Sequence, residues 1–165
     1  MERRQFLNMT LGALALIAVP ASVRAKDFRK SKPTVWTTKN VYKDPKTPAG
    51  PTEEGVLNAV KALFGSNDIT YSDVKLKAPD VASNGGAVPV DFSTNKDIKT
   101  IALFQNVNPE AAVLAIDTNK YSVNKYSIKL KMKMSGTIYV VAQGTDGKLY
   151  GAKKTLSVAL GGCEG

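Results

Sequence analysis

The spacing of apolar positions along the chain changes near residue 65, from the period of a helix to that of strands. Before this point, five apolar residues fall on one face of a helix: Val56, Leu57, Val60, Leu63 and Phe64. Thr52 can cap this helix and Gly65 can end it. The pattern therefore predicts one amphipathic helix over about residues 52–64.

Beyond residue 69 apolar and polar residues alternate, as they do in half-buried strands. The clearest alternation runs from Tyr126 to Met134, with apolar side chains on one face and Lys129, Lys131 and Lys133 on the other. Turn residues such as Asp146-Gly147 separate about seven short segments at spacings of about 8–12 residues. We therefore predict a mainly-β protein, an immunoglobulin-like antiparallel β-sandwich with an N-terminal helix.

The first 25 residues have the pattern of an export signal. Arg3-Arg4 precede Phe6-Leu7, as in the core of a twin-arginine signal. The apolar stretch Leu11–Val19 is shorter than the roughly 18 residues of a membrane span. We predict that residues 1–25 direct export to the periplasm and leave no permanent membrane anchor. A short N-terminal anchor is the alternative.

Three further segments follow the predicted signal. Residues 26–51 are rich in Lys, Pro and Thr and predict an extended, poorly packed segment, with Trp36 as its anchor. Residues 52–160 contain the helix and all of the strands, which is the size of one domain. Residues 161–165 predict a flexible arm, because glycine lacks a Cβ and has wide conformational freedom.

Composition removes most of the usual catalytic chemistry. The chain has no histidine and a single cysteine, so it contains no histidine triad, no intramolecular disulfide and no thiolate cage. No cofactor or metal motif is present, and an enzyme with a cysteine nucleophile would lack a histidine to activate it. We expect no resident cofactor, and an enzyme with Cys163 as nucleophile is disfavoured.

The formal net charge of +9 has two interpretations. The lysines at 129, 131 and 133 indicate a solvated face or edge protection. A functional interpretation is steering of small anions or docking to acidic partner surfaces. Nucleic acid is not an expected partner, because the lysines are scattered without interleaved aromatic residues.

The single cysteine, Cys163, lies among glycines, in Gly161-Gly162-Cys163-Glu164-Gly165. Three interpretations compete. It is an accidental exposed thiol, a disulfide link between subunits of an immunoglobulin-like interaction module, or a carrier thiol that presents a covalent intermediate to partner enzymes. The glycines leave little bulk around the sulfur, which suits entry into another protein's cleft.

Several motifs resemble those of the SoxY carrier proteins of bacterial thiosulfate oxidation. The resemblance covers about residues 56–165 and is strongest in Pro79-Asp80-Val81-Ala82-Ser83-Asn84-Gly85 and Val88-Pro89-Val90. It continues in Ile101-Ala102-Leu103-Phe104, Asn108-Pro109-Glu110 and Asp146-Gly147-Lys148-Leu149-Tyr150. The ending resembles the family's G-G-C-G-G terminus at Gly161, Gly162, Cys163 and Gly165.

The resemblance implies a carrier that holds sulfur intermediates on Cys163 and is not itself an enzyme. It implies a heterodimer with a SoxZ-like subunit. A SoxAX-like haem enzyme would conjugate thiosulfate to the cysteine, giving an S-thiosulfonate. A SoxB-like hydrolase would then release sulfate, and a sulfane dehydrogenase can oxidise the remaining sulfur.

One residue of the arm departs from the family pattern. Glu164 stands where the family has glycine. Its carboxylate disfavours the thiolate form of Cys163 and adds bulk beside the sulfur. We therefore expect Glu164 to hinder the arm.

Overall fold

Two β-sheets pack face to face in the computed structural model, which describes residues 27–43 and 51–159. The larger sheet has six strands and the smaller sheet has three. The prediction of a mainly-β, immunoglobulin-like sandwich is confirmed. A layer of helices covers the outer face of the larger sheet.

The helices and strands have the following bounds. The helices are α1 (Phe28–Ser31), α2 (Pro33–Thr37) and α3 (Glu54–Phe64), and a 3₁₀ turn spans Gly85–Ala87. The strands are β1 (Ile69–Thr70), β2 (Val74–Lys77), β3 (Val81–Ala82), β4 (Val88–Thr94), β5 (Ile98–Gln105), β6 (Ala112–Asp117), β7 (Lys125–Leu130), β8 (Gly136–Gly144) and β9 (Leu149–Val158).

Most strand pairs are antiparallel, as predicted. The larger sheet has the order β1-β9-β8-β5-β6, with β3 also paired to β9, and the smaller sheet has the order β2-β4-β7. The two short strands β1 and β3 differ from the prediction, because each pairs with β9 in parallel. Each contributes only two residues, so these parallel pairs extend the sheet without changing the sandwich.

Strand β5 shows how one strand serves two cores. Ile101 and Leu103 are fully buried between the two sheets, together with residues of β4 such as Phe92. Ala102 and Phe104 point to the opposite face and are buried under the helices. The alternation in the sequence thus corresponds to two apolar layers, one on each side of the larger sheet.

The helices bury an apolar face against the outside of the larger sheet. The buried helix residues are Phe28, Val35, Val56, Ala59, Val60 and Leu63. Their partners on the sheet include Phe104, Tyr139 and Val141, all at most 1% exposed. The outer face of the larger sheet is therefore part of the protein core.

The prediction of an extended segment is wrong for residues 28–37, which form α1 and α2. The Asp27 side chain caps α1 by accepting a hydrogen bond from the Arg29 N–H at 3.1 Å. Pro33 begins α2, where its fixed φ is compatible with a helix. Phe28 and Val35 are buried, so this segment is packed against the domain.

Helix α3 begins two residues later than predicted. The Thr52 hydroxyl does not cap it but donates to the Val41 carbonyl oxygen at 2.7 Å, which attaches this point to the preceding segment. Gly65 ends the helix in the left-handed region at φ 85°, as predicted.

The prediction for Tyr126 to Met134 is confirmed for the side chains that face inward, but the strand is shorter than predicted. Strand β7 ends at Leu130, after which the Met132 N–H donates to the Gly85 carbonyl oxygen at 2.7 Å instead of continuing the β4 ladder. Met132 is nonetheless fully buried. The turn predicted at Asp146-Gly147 joins β8 and β9 in an antiparallel hairpin, with Gly147 at φ 83°.

Within the described ranges, no helix has the length and apolar character needed to cross a membrane. The predicted export signal, residues 1–25, lies outside the described residues.

Candidate functional site: the root of the C-terminal arm

The predicted carrier residues all lie outside the described residues, namely Gly161, Gly162, Cys163, Glu164 and Gly165. The last described residue is Ala159, four positions before Cys163. Four residues extend over at most about 14 Å. The structure therefore defines the point from which the arm starts, residues 157–159, which we call the arm root.

Backbone hydrogen bonds hold the arm root on both sides. The Ser157 N–H donates to the Asp80 carbonyl oxygen and the Ala159 N–H donates to the Ala82 carbonyl oxygen, each at 2.9 Å. On the opposite side, the Val158 N–H donates to Ser135 Oγ at 2.9 Å. The last strand is thus fixed up to Ala159, so the arm has a defined starting point.

The segment that carries the strongest family resemblance builds one side of the arm root. Residues 79–87 run through β3 into the 3₁₀ turn. The Asn84 side chain starts this turn by accepting a hydrogen bond from the Gly86 N–H at 2.7 Å. Ala82 is buried, whereas Val81 is 63% exposed beside the arm root. This motif therefore has a structural position next to the arm.

The Asn108 side chain braces the opposite side. Its Nδ2 donates to the Lys131 carbonyl oxygen at 2.7 Å, and its Oδ1 accepts from the Lys133 N–H at 3.1 Å. These two bonds fix the segment that leads to Ser135. A second family motif, Asn108-Pro109-Glu110, thus also supports the arm root.

Gln105 holds the loop that carries Asn108. Its side chain is 1% exposed, and its Oε1 accepts hydrogen bonds from the N–H groups of Val107 and Asn108 at 2.6 Å. Its Nε2 donates to the Glu110 carbonyl oxygen at 2.6 Å. A buried amide with its donor and acceptor both used makes this loop rigid.

Ion pairs lie close to the arm root but do not point to catalysis. Lys154 forms a hydrogen-bonded pair with Asp80, and this bond lowers the pKa of the Asp80 carboxyl. One position earlier, Lys153 binds Glu53 at 2.8 Å, which lowers the pKa of Glu53. Both pairs are largely exposed, and each lysine simply stabilises the charged form of its carboxylate.

The described residues include no cluster of side chains suited to hold a metal ion. Across residues 27–43 and 51–159, no three His, Cys, Asp or Glu side chains are placed to hold a metal ion together. The arm root is positioned by main-chain hydrogen bonds and by the side chains of Ser135, Asn108 and Gln105. The arrangement can hold and present a chain segment.

The three lysines expected on one strand face are separated by the structure. Lys129 lies on the outer face of β7. Lys131 follows the strand's end, and Lys133 Nζ lies 4.8 Å from the ring centroid of Tyr42. The other expected motif, Asp146-Gly147, forms the turn between β8 and β9 and is far along β9 from the arm root.

Sequence reasoning missed the roles of Ser135, Asn108 and Gln105. Gln105 ends the apolar strand β5 and Asn106 follows it, and buried amides are normally hydrogen-bonded, so a signal was present. Ser135 gave no signal, because its contact depends on how β9 meets the start of β8.

Comparison with known proteins identifies relatives of this chain. The family model described as "Sulfur oxidation protein SoxY" matches residues 60–163. The structure of the sulfur carrier protein SoxY from Chlorobium limicola f thiosulfatophilum is 30% identical, with a TM-score of 0.59, and the match covers 65% of this chain and 98% of that chain. A search of curated proteins found no match.

Two further solved structures share less. A superoxide reductase (neelaredoxin) from Ignicoccus hospitalis is 21% identical, with 53% of this chain and 80% of that chain covered and a TM-score of 0.47. A putative superoxide reductase from Thermotoga maritima is 16% identical, with coverage of 55% and 93% and a TM-score of 0.49.

The fold and the arm root define an immunoglobulin-like sandwich protein whose last strand leads into a terminal segment with the only cysteine. The family model covers more than half of the chain and extends through that cysteine. The chain therefore belongs to the SoxY family, a family of carrier proteins in sulfur oxidation.

Proposed function

We propose that this protein carries the sulfur intermediates of thiosulfate oxidation in the periplasm, bound covalently to Cys163. The observation that carries the proposal is the family match through residue 163, which includes the only sulfhydryl group in the chain. The relative from Chlorobium limicola f thiosulfatophilum is a sulfur carrier protein, which supports the same role here. The chain itself is proposed to be the substrate of partner enzymes.

The first proposed step is an oxidative conjugation. The Cys163 sulfur forms a bond to the outer sulfur of thiosulfate, giving Cys–S–S–SO₃⁻. The thiol releases one proton, and two electrons pass to the conjugating enzyme, which we propose to be a SoxAX-like haem protein. This chain supplies the sulfur atom and its position, and no residue of it accepts the electrons.

The second proposed step is hydrolysis by a SoxB-like enzyme. Water attacks the terminal sulfonate sulfur, the bond between the two outer sulfurs breaks, and sulfate leaves with two protons. The persulfide anion remains on Cys163. A sulfane dehydrogenase is the proposed partner for oxidation of this remaining sulfur.

The fixed arm root supports a carrier that visits several enzymes. Because Ser157, Val158 and Ala159 are each held by a hydrogen bond, the sandwich gives the arm a constant origin. From there, four residues reach at most about 14 Å, enough to enter a cleft. Tethering lets each enzyme recognise the protein as well as the small anion.

Family membership implies partners of the Sox pathway in general, and we propose a SoxZ-like subunit as the permanent one. We further propose export through the predicted twin-arginine signal. Replacing both residues of the pair, Arg3→Lys with Arg4→Lys, should leave the protein in the cytoplasm. Fractionation of cells that carry either form tests this. Wild-type protein found only in the cytoplasm would contradict export.

Intact-mass spectrometry tests the proposed carrier function. The wild-type protein and a Cys163→Ser variant are incubated with thiosulfate and the conjugating haem enzyme. We expect the wild type to gain the mass of one S₂O₃ group, which a reductant removes, and the variant to gain nothing. A doubled, reductant-sensitive mass as the sole product would instead support the alternative, an interaction module linked by a disulfide between subunits.

A further inference from the structure

The outer face of the smaller sheet carries a concentration of positive charge. Four lysines of β2 and β7 point to solvent on this face and are exposed, and we call them the lysine face: Lys75, Lys77, Lys125 and Lys129. The central strand adds only one acidic side chain, Asp91, between them. The net charge of this small surface is therefore +3.

The strand register places these residues in adjoining rows. The rows across β2, β4 and β7 are Lys75-Ser93-Lys125, Lys77-Asp91-Ser127 and, beyond the end of β2, Pro89-Lys129. With strands about 4.8 Å apart and about 6.7 Å between rows, the lysine face covers about 10 by 13 Å. Such an area is large enough for a contact with several groups of another protein.

The described lysines are of two kinds, those with a carboxylate partner and those without one. Five described lysines outside the face pair with acids, among them Lys39 with Glu110, Lys153 with Glu53 and Lys154 with Asp80. No described carboxylate forms an ion pair with a member of the lysine face. Its charge is therefore not neutralised within the described part of the chain.

The lysine face lies at the same end of the molecule as the arm root. Strand β2 leaves the face at Lys77 and continues into β3, where the Ala82 carbonyl oxygen binds the arm root. Strand β7 leaves it at Lys129, just before Met132 binds the Gly85 carbonyl oxygen. An enzyme seated on the face would thus have the arm beside it.

We propose that the lysine face docks an acidic surface on the enzymes that act on the arm. This inference rests on the proposed carrier function and adds how the carrier is recognised. Unpaired charges that retain their hydration raise the rate of encounter with an oppositely charged surface and orient it, with little cost in desolvation. Lysines on β2 and β7, the two edge strands of the smaller sheet, also protect against strand pairing. That role needs no acidic partner, and the kinetic comparison below separates it from docking.

The test compares two variants with the same change in net charge. In the first, Lys75, Lys77, Lys125 and Lys129 are all replaced by Gln. In the matched control, four exposed lysines outside the lysine face are replaced by Gln: Lys61, Lys99, Lys120 and Lys148. Each protein is loaded with the thiosulfate adduct on Cys163. Sulfate release by the SoxB-like hydrolase of the same organism is then measured at low and at physiological ionic strength.

We expect kcat/KM of the lysine-face variant to fall about tenfold at low ionic strength, through KM, with kcat unchanged. The control should stay within about twofold of the wild type, because its charges lie away from the docking surface. Salt should lower the wild-type value and have much less effect on the lysine-face variant.

Several results would overturn the docking surface. Equal loss in both variants would show that net charge alone matters. Equal turnover of the wild-type carrier and of a free peptide with residues 159–165 bearing the adduct would show that the sandwich is not recognised. If sulfate release from the lysine-face variant is unchanged but the variant no longer binds phosphatidylglycerol vesicles, the face binds a membrane and not an enzyme. Failure to form the adduct on wild-type Cys163 would instead contradict the proposed function.

Discussion

The outer faces of the two sheets have opposite environments. The outer face of the larger sheet is covered by α1, α2 and α3 and contains buried residues such as Phe104 and Tyr139. The outer face of the smaller sheet has no such layer in the described structure and exposes the lysine face instead. One outer face contributes to stability, and the other carries lysines that no described helix covers.

The sequence of each strand reflects this difference. Strand β5 is buried on both faces over most of its length, so its apolar residues are nearly continuous. Strands β2 and β7 alternate lysine or serine with apolar residues, because only one face meets the core. Substitutions on the two outer faces should therefore differ strongly in their effect on stability.

Phe104→Ala should have the largest effect. Phe104 is fully buried between β5 and the helix layer, so its truncation leaves a cavity and should lower the free energy of unfolding by about 3–5 kcal/mol. Lys125→Ala, on the exposed outer face, should change it by at most about 0.5 kcal/mol. Urea unfolding measures both, and comparable losses would contradict the distinction between the two faces.

Ser135→Ala should have a smaller effect that is concentrated at the arm root. It removes the hydroxyl that accepts the Val158 N–H and should lower the free energy of unfolding by about 1 kcal/mol. Hydrogen exchange of the Val158 amide should become faster, while exchange in β5 stays slow. The control is Ser127→Ala on the outer face of β7. Unchanged protection of Val158 would show that Ser135 does not hold the arm root.

Glu53→Gln tests a contact that joins the helix layer to the larger sheet. Glu53 accepts hydrogen bonds from Lys153 and from the Tyr139 hydroxyl, and the Lys153 bond lowers the pKa of Glu53. Because the pKa of Glu53 is lower in the folded protein, the ionised carboxylate stabilises the fold at pH values above the ordinary pKa of Glu. This stabilisation is lost as the pH falls through the pKa of Glu53 in the folded protein.

Because Glu53 is partly exposed, the stability difference between wild type and Glu53→Gln should be less than about 1 kcal/mol at neutral pH. It should shrink as acid protonates the carboxyl in the wild type. Thermal unfolding of both proteins, measured at a series of pH values from neutral to below the ordinary pKa of Glu, tests this change. A difference that grows toward acid pH would contradict the assigned ion pair.

Glu164→Gly should have the smallest effect on the sandwich, because it changes only the arm. It should leave the unfolding curve unchanged. Removing the carboxylate beside Cys163 should speed conjugation of thiosulfate, or at least not slow it. Stopped-time mass spectrometry with the conjugating enzyme measures the rate. A clear decrease in rate would remove the idea that Glu164 hinders the arm.

The sandwich was predictable from the sequence because its signals are local. The two faces of β5, the turn at Gly147 and the end of α3 at Gly65 all follow from periodicity and glycine conformation. Helices α1 and α2 were missed although Asp27 and Pro33 are typical helix starts, since a lysine- and proline-rich composition outweighed them.

The candidate site was only partly predictable. Cys163 stands out by composition, and its neighbours by their glycines. The arm root depends on contacts between residues distant in sequence, such as Ser135 with Val158 and Ala82 with Ala159. The lysine face likewise requires the register of three strands. It joins Lys75 and Lys77 of β2 to Lys125 and Lys129 of β7, which no local pattern connects.

Cys163 is proposed to carry sulfur in the cell. The most direct measurement is mass spectrometry, without reduction, of the C-terminal peptide from protein isolated from cells that oxidise thiosulfate. We expect Cys163 to bear additional sulfur, as the S-thiosulfonate or the persulfide, and a reductant to remove it. A Cys163 found only as the free thiol, or only in a disulfide between two copies of the chain, would contradict it.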